Sequence, residues 1–152
     1  MKKYLFTFIS ALIIGFFLCN FFLKQYNDFD GIKVSGTGEK LYFIQYGVFS
    51  SLENLEENTI SLQNYVYNEE DNLYYVYVGI TRLKENAEKI QNYYKELGYD
   101  VIIKEFGISN KDFIKALINY DQLLKSTNDE TAIASIISQV LVKYEEVVIS
   151  GS

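Results

Sequence analysis

Tyr42-Phe43-Ile44-Gln45-Tyr46-Gly47-Val48-Phe49 reads as a β-strand that ends in a glycine turn. A near copy, Tyr74-Tyr75-Val76-Tyr77-Val78-Gly79-Ile80, follows 32 positions later. The agreement runs on into the next segment. Between 42–56 and 74–88 five of fifteen positions are identical: Tyr42/Tyr74, Gly47/Gly79, Glu53/Glu85, Asn54/Asn86 and Glu56/Glu88. Two strand-then-helix halves at one offset predict a duplicated β-α unit. Doubled, that unit predicts an α+β fold: a ferredoxin-like βαββαβ sandwich, a four-stranded antiparallel sheet with two helices on one face.

Periodicity places the elements. Strand one is expected at 41–48 and helix one at 51–64, with Ser50 or Ser51 as its N-cap. The apolar stripe of that helix is Leu52, Leu55, Ile60, Leu62 and Val66. Tyr65-Val66-Tyr67 reads as strand two, Asn68–Asn72 as a turn, and 73–80 as strand three. Helix two is expected over 82–97 and stops at Gly98 as a left-handed cap. Val101-Ile102-Ile103 is strand four.

The motif order aromatic-aromatic-aliphatic-Gln-x-Gly-x-Phe, then a helix, a hairpin, a second Val-x-Val-Gly strand and a second helix, resembles the SPOR domain. The resemblance covers 41–106; Ile80-Thr81 follows the second glycine where the family tends to have Pro-Phe. It implies a small module that binds peptidoglycan glycan strands stripped of their peptides.

Strand alternation divides the sheet into two faces. Tyr42, Ile44, Tyr46 and Val48, with Tyr74, Val76, Val78 and Ile80, are expected beneath the two helices. In strand four Val101 and Ile103 should point in, and Ile102 and Lys104 out. The other face then presents Phe43, Gln45, Tyr75 and Tyr77, the candidate glycan-binding residues. Rings stack on pyranose C–H faces, and an amide donates and accepts at once, which suits N-acetyl groups. Tyr65 or Tyr67 would extend the platform. The competing expectation is structural: Tyr and Phe are strong strand formers, and tail helices lying over this face would make the rings core.

Around the module the chain divides in three. Tyr4–Leu23 is an uncharged apolar run of bilayer-spanning length. Lys2 and Lys3 precede it, so residues 1–24 are expected to be an uncleaved, single-pass signal anchor with a cytoplasmic N-terminus and the remainder outside. Cys19 would lie in lipid. Residues 25–40, polar and with three glycines, read as a linker. Residues 109–149 read as a helical hairpin: 111–125 through Phe113, Leu117, Tyr120 and Leu124, then 130–149, capped by Asn128 or Asp129. Its wide apolar stripe must be buried, against the same chain or in a dimer or partner contact.

Composition removes other classes. The 152 residues carry a net charge of −6, against the clustered cations of nucleic-acid sites. With no His and one Cys, the chain has no Ser-His-Asp or Cys-His catalysis and no intrachain disulfide. The carboxylates fall in solvated runs, Glu53-Glu56-Glu57, Glu69-Glu70-Asp71 and Glu145-Glu146, not across a cleft as a glycosidase needs. Arg82 and Lys84 read as solvated charges. Neither a metal nor another cofactor is expected. The sequence therefore reads as a membrane-anchored, non-enzymatic binder of peptidoglycan glycan, a localisation or scaffolding factor in cell-wall remodelling, division or sporulation. On that reading Gln45→Ala or Tyr77→Ala weakens sacculus binding without unfolding. The alternative is an interaction or self-association module acting through the aromatic face and the C-terminal helices.

Overall fold

The computed structural model describes residues 38–150. The expected signal anchor, Cys19 and nearly all of the linker lie outside the described residues. Among the described residues no helix is long and apolar enough to cross a membrane.

The chain runs β1 (Glu39–Phe49), α1 (Leu52–Thr59), β2 (Val66–Glu70), β3 (Leu73–Thr81), α2 (Lys84–Glu96), β4 (Ile102–Ile108), α3 (Lys111–Ser126) and α4 (Glu130–Tyr144). A five-residue π-turn, Glu145–Ile149, ends it. The four strands form one antiparallel sheet in the order β2-β3-β1-β4. The fold is thus α+β, with the βαββαβ order expected for 41–106 and two further helices.

Local chemistry explains most boundaries. The Ser51 hydroxyl accepts from Asn54 N–H and caps α1. α1 is shorter than expected. Asn58 Nδ2 donates to Asn54 O and Thr59 Oγ1 to Leu55 O, so side chains compete for carbonyls at the helix end. Ile60, expected on its buried stripe, is therefore exposed. Asp71 and Asn72 both take positive φ, 50° and 60°, which closes the β2–β3 hairpin with a two-residue turn of the primed kind. Gly98, at φ 88°, ends α2 as expected. Its N–H donates to Lys95 O and Tyr99 N–H to Tyr94 O.

α1 and α2 cover one sheet face. Ile44 pairs with Gly79 there, and Ile90 of α2 lies against the glycine. A methyl group on Gly79 would stand 2.9 Å from Ile90 Cγ2 and 3.4 Å from Ile44 Cδ1, so the glycine allows the helix its close approach.

The C-terminal helices pack within the same chain, against the module. Two polar clusters hold them. Buried Asp121 of α3 accepts from Thr81 Oγ1, from Arg82 N–H at 3.1 Å and from Asn86 Nδ2 at 3.3 Å. The Lys89 ammonium of α2 donates to Leu124 O and Thr127 O, each at 2.8 Å, and so caps the end of α3. Arg82, expected to be solvated, pairs with Glu39 at 2.5 Å. Asp121→Ala should cost about 3 kcal/mol or more, because it strands several buried donors at once. Gly79→Ala should cost about 1–3 kcal/mol by overpacking. Denaturant midpoints check both, with Asp121→Ala lower.

Candidate functional site

Alternation along β1 and β3 brings Phe43, Gln45, Tyr75 and Tyr77 together, as expected. Gln45 pairs with Tyr77, and the Phe43 and Tyr77 rings meet edge to face with centroids 5.2 Å apart. The cluster is not a platform, however. Phe43 is 0% exposed, Tyr77 2%, Gln45 6% and Tyr75 9%. The expected outward-facing surface is corrected to interior, and the reason is the C-terminal pair. Tyr144, at the end of α4, meets Phe43 edge to face at 5.6 Å and Phe113 of α3 at 5.3 Å. Phe106 of β4 closes on Phe43 at 5.1 Å. Asn68 of β2 donates to the Tyr144 hydroxyl at 3.4 Å. Tyr67 is half-exposed at the sheet edge, with its ring 6.0 Å from Tyr74. Tyr65 is also partly exposed and lies just before β2.

Two register irregularities change other assignments. Val78 of β3 is skipped between the Ile44–Gly79 and Gln45–Tyr77 pairs, and Tyr46 of β1 is skipped before Gly47–Val76. Paired residues share a face. Ile80, expected beneath α1 and α2, therefore stands opposite Phe43 on the tail side. Val48 stands opposite Tyr75 and is exposed. Strand four is longer than expected and starts at Ile102; Val101 just before it is buried and Ile102 exposed as expected, but Ile103 and Lys104 are both half-buried.

Among the described residues Gln45 Oε1 is the one buried side-chain atom without a hydrogen-bond partner. An unpaired buried acceptor costs about 1–3 kcal/mol, which a ligand donor would recover. Baring the Phe43–Tyr77 face as a platform means lifting α4, whose Tyr144 lies on Phe43 and which buries Ile133, Ile136, Ile137, Val140, Leu141 and Tyr144. At about 1.5–3 kcal/mol per side chain the cost is on the order of 10 kcal/mol. A micromolar contact yields only about 8 kcal/mol in all. The closed face therefore wins over the orphaned acceptor.

One open cleft lies at a seam. The α1–β2 loop, the end of α2 with Tyr99, and α4 enclose a cleft of about 230 Å³. Sequence reasoning missed it because its walls come from three separate segments. It also missed Asp121, although a signal was present: Phe113, Leu117, Asp121 and Leu124 share one helical face, and all four are buried. Among the described residues no group of three His, Cys, Asp or Glu could hold a metal.

No family model matches the sequence. No curated protein matches it either. Among solved structures the chain is similar to the peptidoglycan-binding domain of the B. subtilis cell wall lytic enzyme CwlC, at 25% identity over 45% of this chain and 92% of that one. The TM-score is 0.39.

Burial raises the Tyr77 and Tyr144 hydroxyls above the ordinary tyrosine value of 10, and nearby tyrosines add to the effect at Tyr77. A raised acid releases its proton less readily folded than unfolded. Through these two hydroxyls the native state therefore loses stability as pH rises beyond 10, and they contribute no pH dependence well below it. The denaturation midpoint should fall steadily above pH 10, and Tyr77→Phe should reduce the slope.

Proposed function

We propose that the chain binds peptidoglycan glycan strands non-covalently and serves as a localisation or scaffolding factor in cell-wall remodelling, division or sporulation. The apolar run at 4–23 supports a membrane tether with the domain on the extracytoplasmic side. One observation carries the reading. The Gln45-x-Gly47-x-Phe49 strand lies at the centre of a βαββαβ domain, antiparallel to the strand bearing Val76-Tyr77-Val78-Gly79. That is the arrangement the SPOR resemblance implies, and it is a likeness of fold, so the ligand needs its own test. The lack of histidine in the sequence and the solvated carboxylates favour binding over catalysis.

A second reading, an interaction or self-association module, is favoured by the rings being closed beneath α4. Its docking surface would be the outer side of the helical pair, where Ile118, Leu123 and Val142 are exposed.

The described residues, 38–150, fall within one compact unit, so a fragment of residues 34–152 suits the experiment. The fragment should sediment with peptide-stripped sacculi, less with intact ones, and run as a monomer. A tight oligomer that stays in the supernatant with both would overturn glycan binding in favour of the second reading.

A further inference from the structure

We infer that the cleft between the α1–β2 loop, the end of α2 and α4 binds one N-acetylated pyranose ring of a glycan, in place of the closed sheet face. The inference rests on the glycan reading above and assigns it a site.

Four observations converge on this cleft. The first is charge. Its lining contains no Asp, Glu, Lys or Arg, in a chain with 14 basic and 20 acidic residues. A neutral, hydroxyl-rich ligand fits such a wall, whereas a phosphate or a charged peptide would find no counter-ion.

The second is the rings. Tyr93 and Tyr99 line the cleft and are partly exposed. Each stands against buried Tyr94, with centroids 5.2 and 6.1 Å from it. Tyr94 is fixed in turn by its hydroxyl, which donates to Val78 O at 3.1 Å. The Tyr99 hydroxyl donates to Ser61 O at 3.0 Å. Tyr99 is thereby tethered to the loop that forms the opposite wall. Pre-positioned aromatic surface lowers the entropy cost of stacking on a sugar's C–H face.

The third is the polar groups. Gln63 and Asn64 bring two amides to the same wall, and among the described residues neither side chain makes a hydrogen bond. The Tyr93 hydroxyl also has no partner among the described residues. Amides that donate and accept at once match both the N–H and the C=O of an acetamido group.

The fourth is size. About 230 Å³ lies below the roughly 300–1,000 Å³ of pockets for drug-sized ligands, so the cleft suits one ring, with the rest of a strand running past it. Ile137 of α4 forms part of the wall, so the C-terminal helices that close the sheet face also complete this cleft.

The test uses the full chain in mild detergent with peptide-stripped sacculi, and tri-N-acetylchitotriose as soluble competitor. Tyr93→Ala and Gln63→Ala should each weaken retention about threefold to tenfold. Gln45→Ala should leave it unchanged, and the competitor should displace the wild type. Gln63 is exposed, so its variant reports on binding even if Tyr93→Ala fails to fold. If both cleft variants are retained like the wild type, or if Gln45→Ala alone is lost, the cleft assignment is overturned while glycan binding stands. If the wild type is not retained, glycan binding falls and the cleft with it.

Discussion

The Phe43 ring is the joint on which the rest of the structure depends. It sits at the centre of the sheet and meets three rings edge to face: Tyr77 from β3, Phe106 from β4 and Tyr144 from α4. Edge-to-face geometry aims the positive ring rim at a negative ring face. Each such pair adds about 0.5–1.5 kcal/mol beyond area burial. Through Tyr144 the set extends to Phe113 of α3. One strand residue therefore ties the duplicated module to the helices that follow it. The polar cluster of Asp121, Thr81 and Asn86 repeats the connection where β3 passes into α2.

This joint decides where a ligand can bind. A sheet with helices on one side leaves its other side to solvent or to a partner, and here the partner is the chain's own C-terminus. The residues that make a good sugar platform also make a good core, because rings that stack on a pyranose stack equally well on other rings. Burial of the rings thus converts a surface into an interior without changing a residue of the strand. The chemistry suited to a neutral sugar survives at the seam, where the loop before β2 and the end of α2 bring amides and tyrosines together beside Ile137.

Much of this fold could be read from the residues, for reasons that are local. Strand alternation, the repeat, the Gly98 stop and the Ser51 and Asp129 caps act within a few residues of chain. The grouping of Phe43, Gln45, Tyr75 and Tyr77 on one face follows from the same alternation. What could not be read was anything set by register between strands or by distant packing. The bulges at Tyr46 and Val78 leave no sequence mark, yet they send Val48 and Ile80 to the opposite face. The exposure of the four candidate residues depended on where α4 came to rest. The wide stripe of Ile133, Ile136, Ile137, Val140 and Leu141 showed that something must be covered, not what. Asp121 was legible in part: an acidic residue on a buried stripe needs donors, and Thr81 and Asn86 supply them.

The central claim is that sheet and C-terminal helices are one cooperative unit with the Phe43 face inside it. Amide hydrogen exchange on the full chain tests this most directly. The account predicts that amides of α4 from Ile136 to Leu141 and those of β3 from Val76 to Ile80 exchange only through the same global opening, with matching protection that falls together in denaturant. Fast exchange in α4 while β3 stays protected would show a helix that lifts freely, and would contradict it.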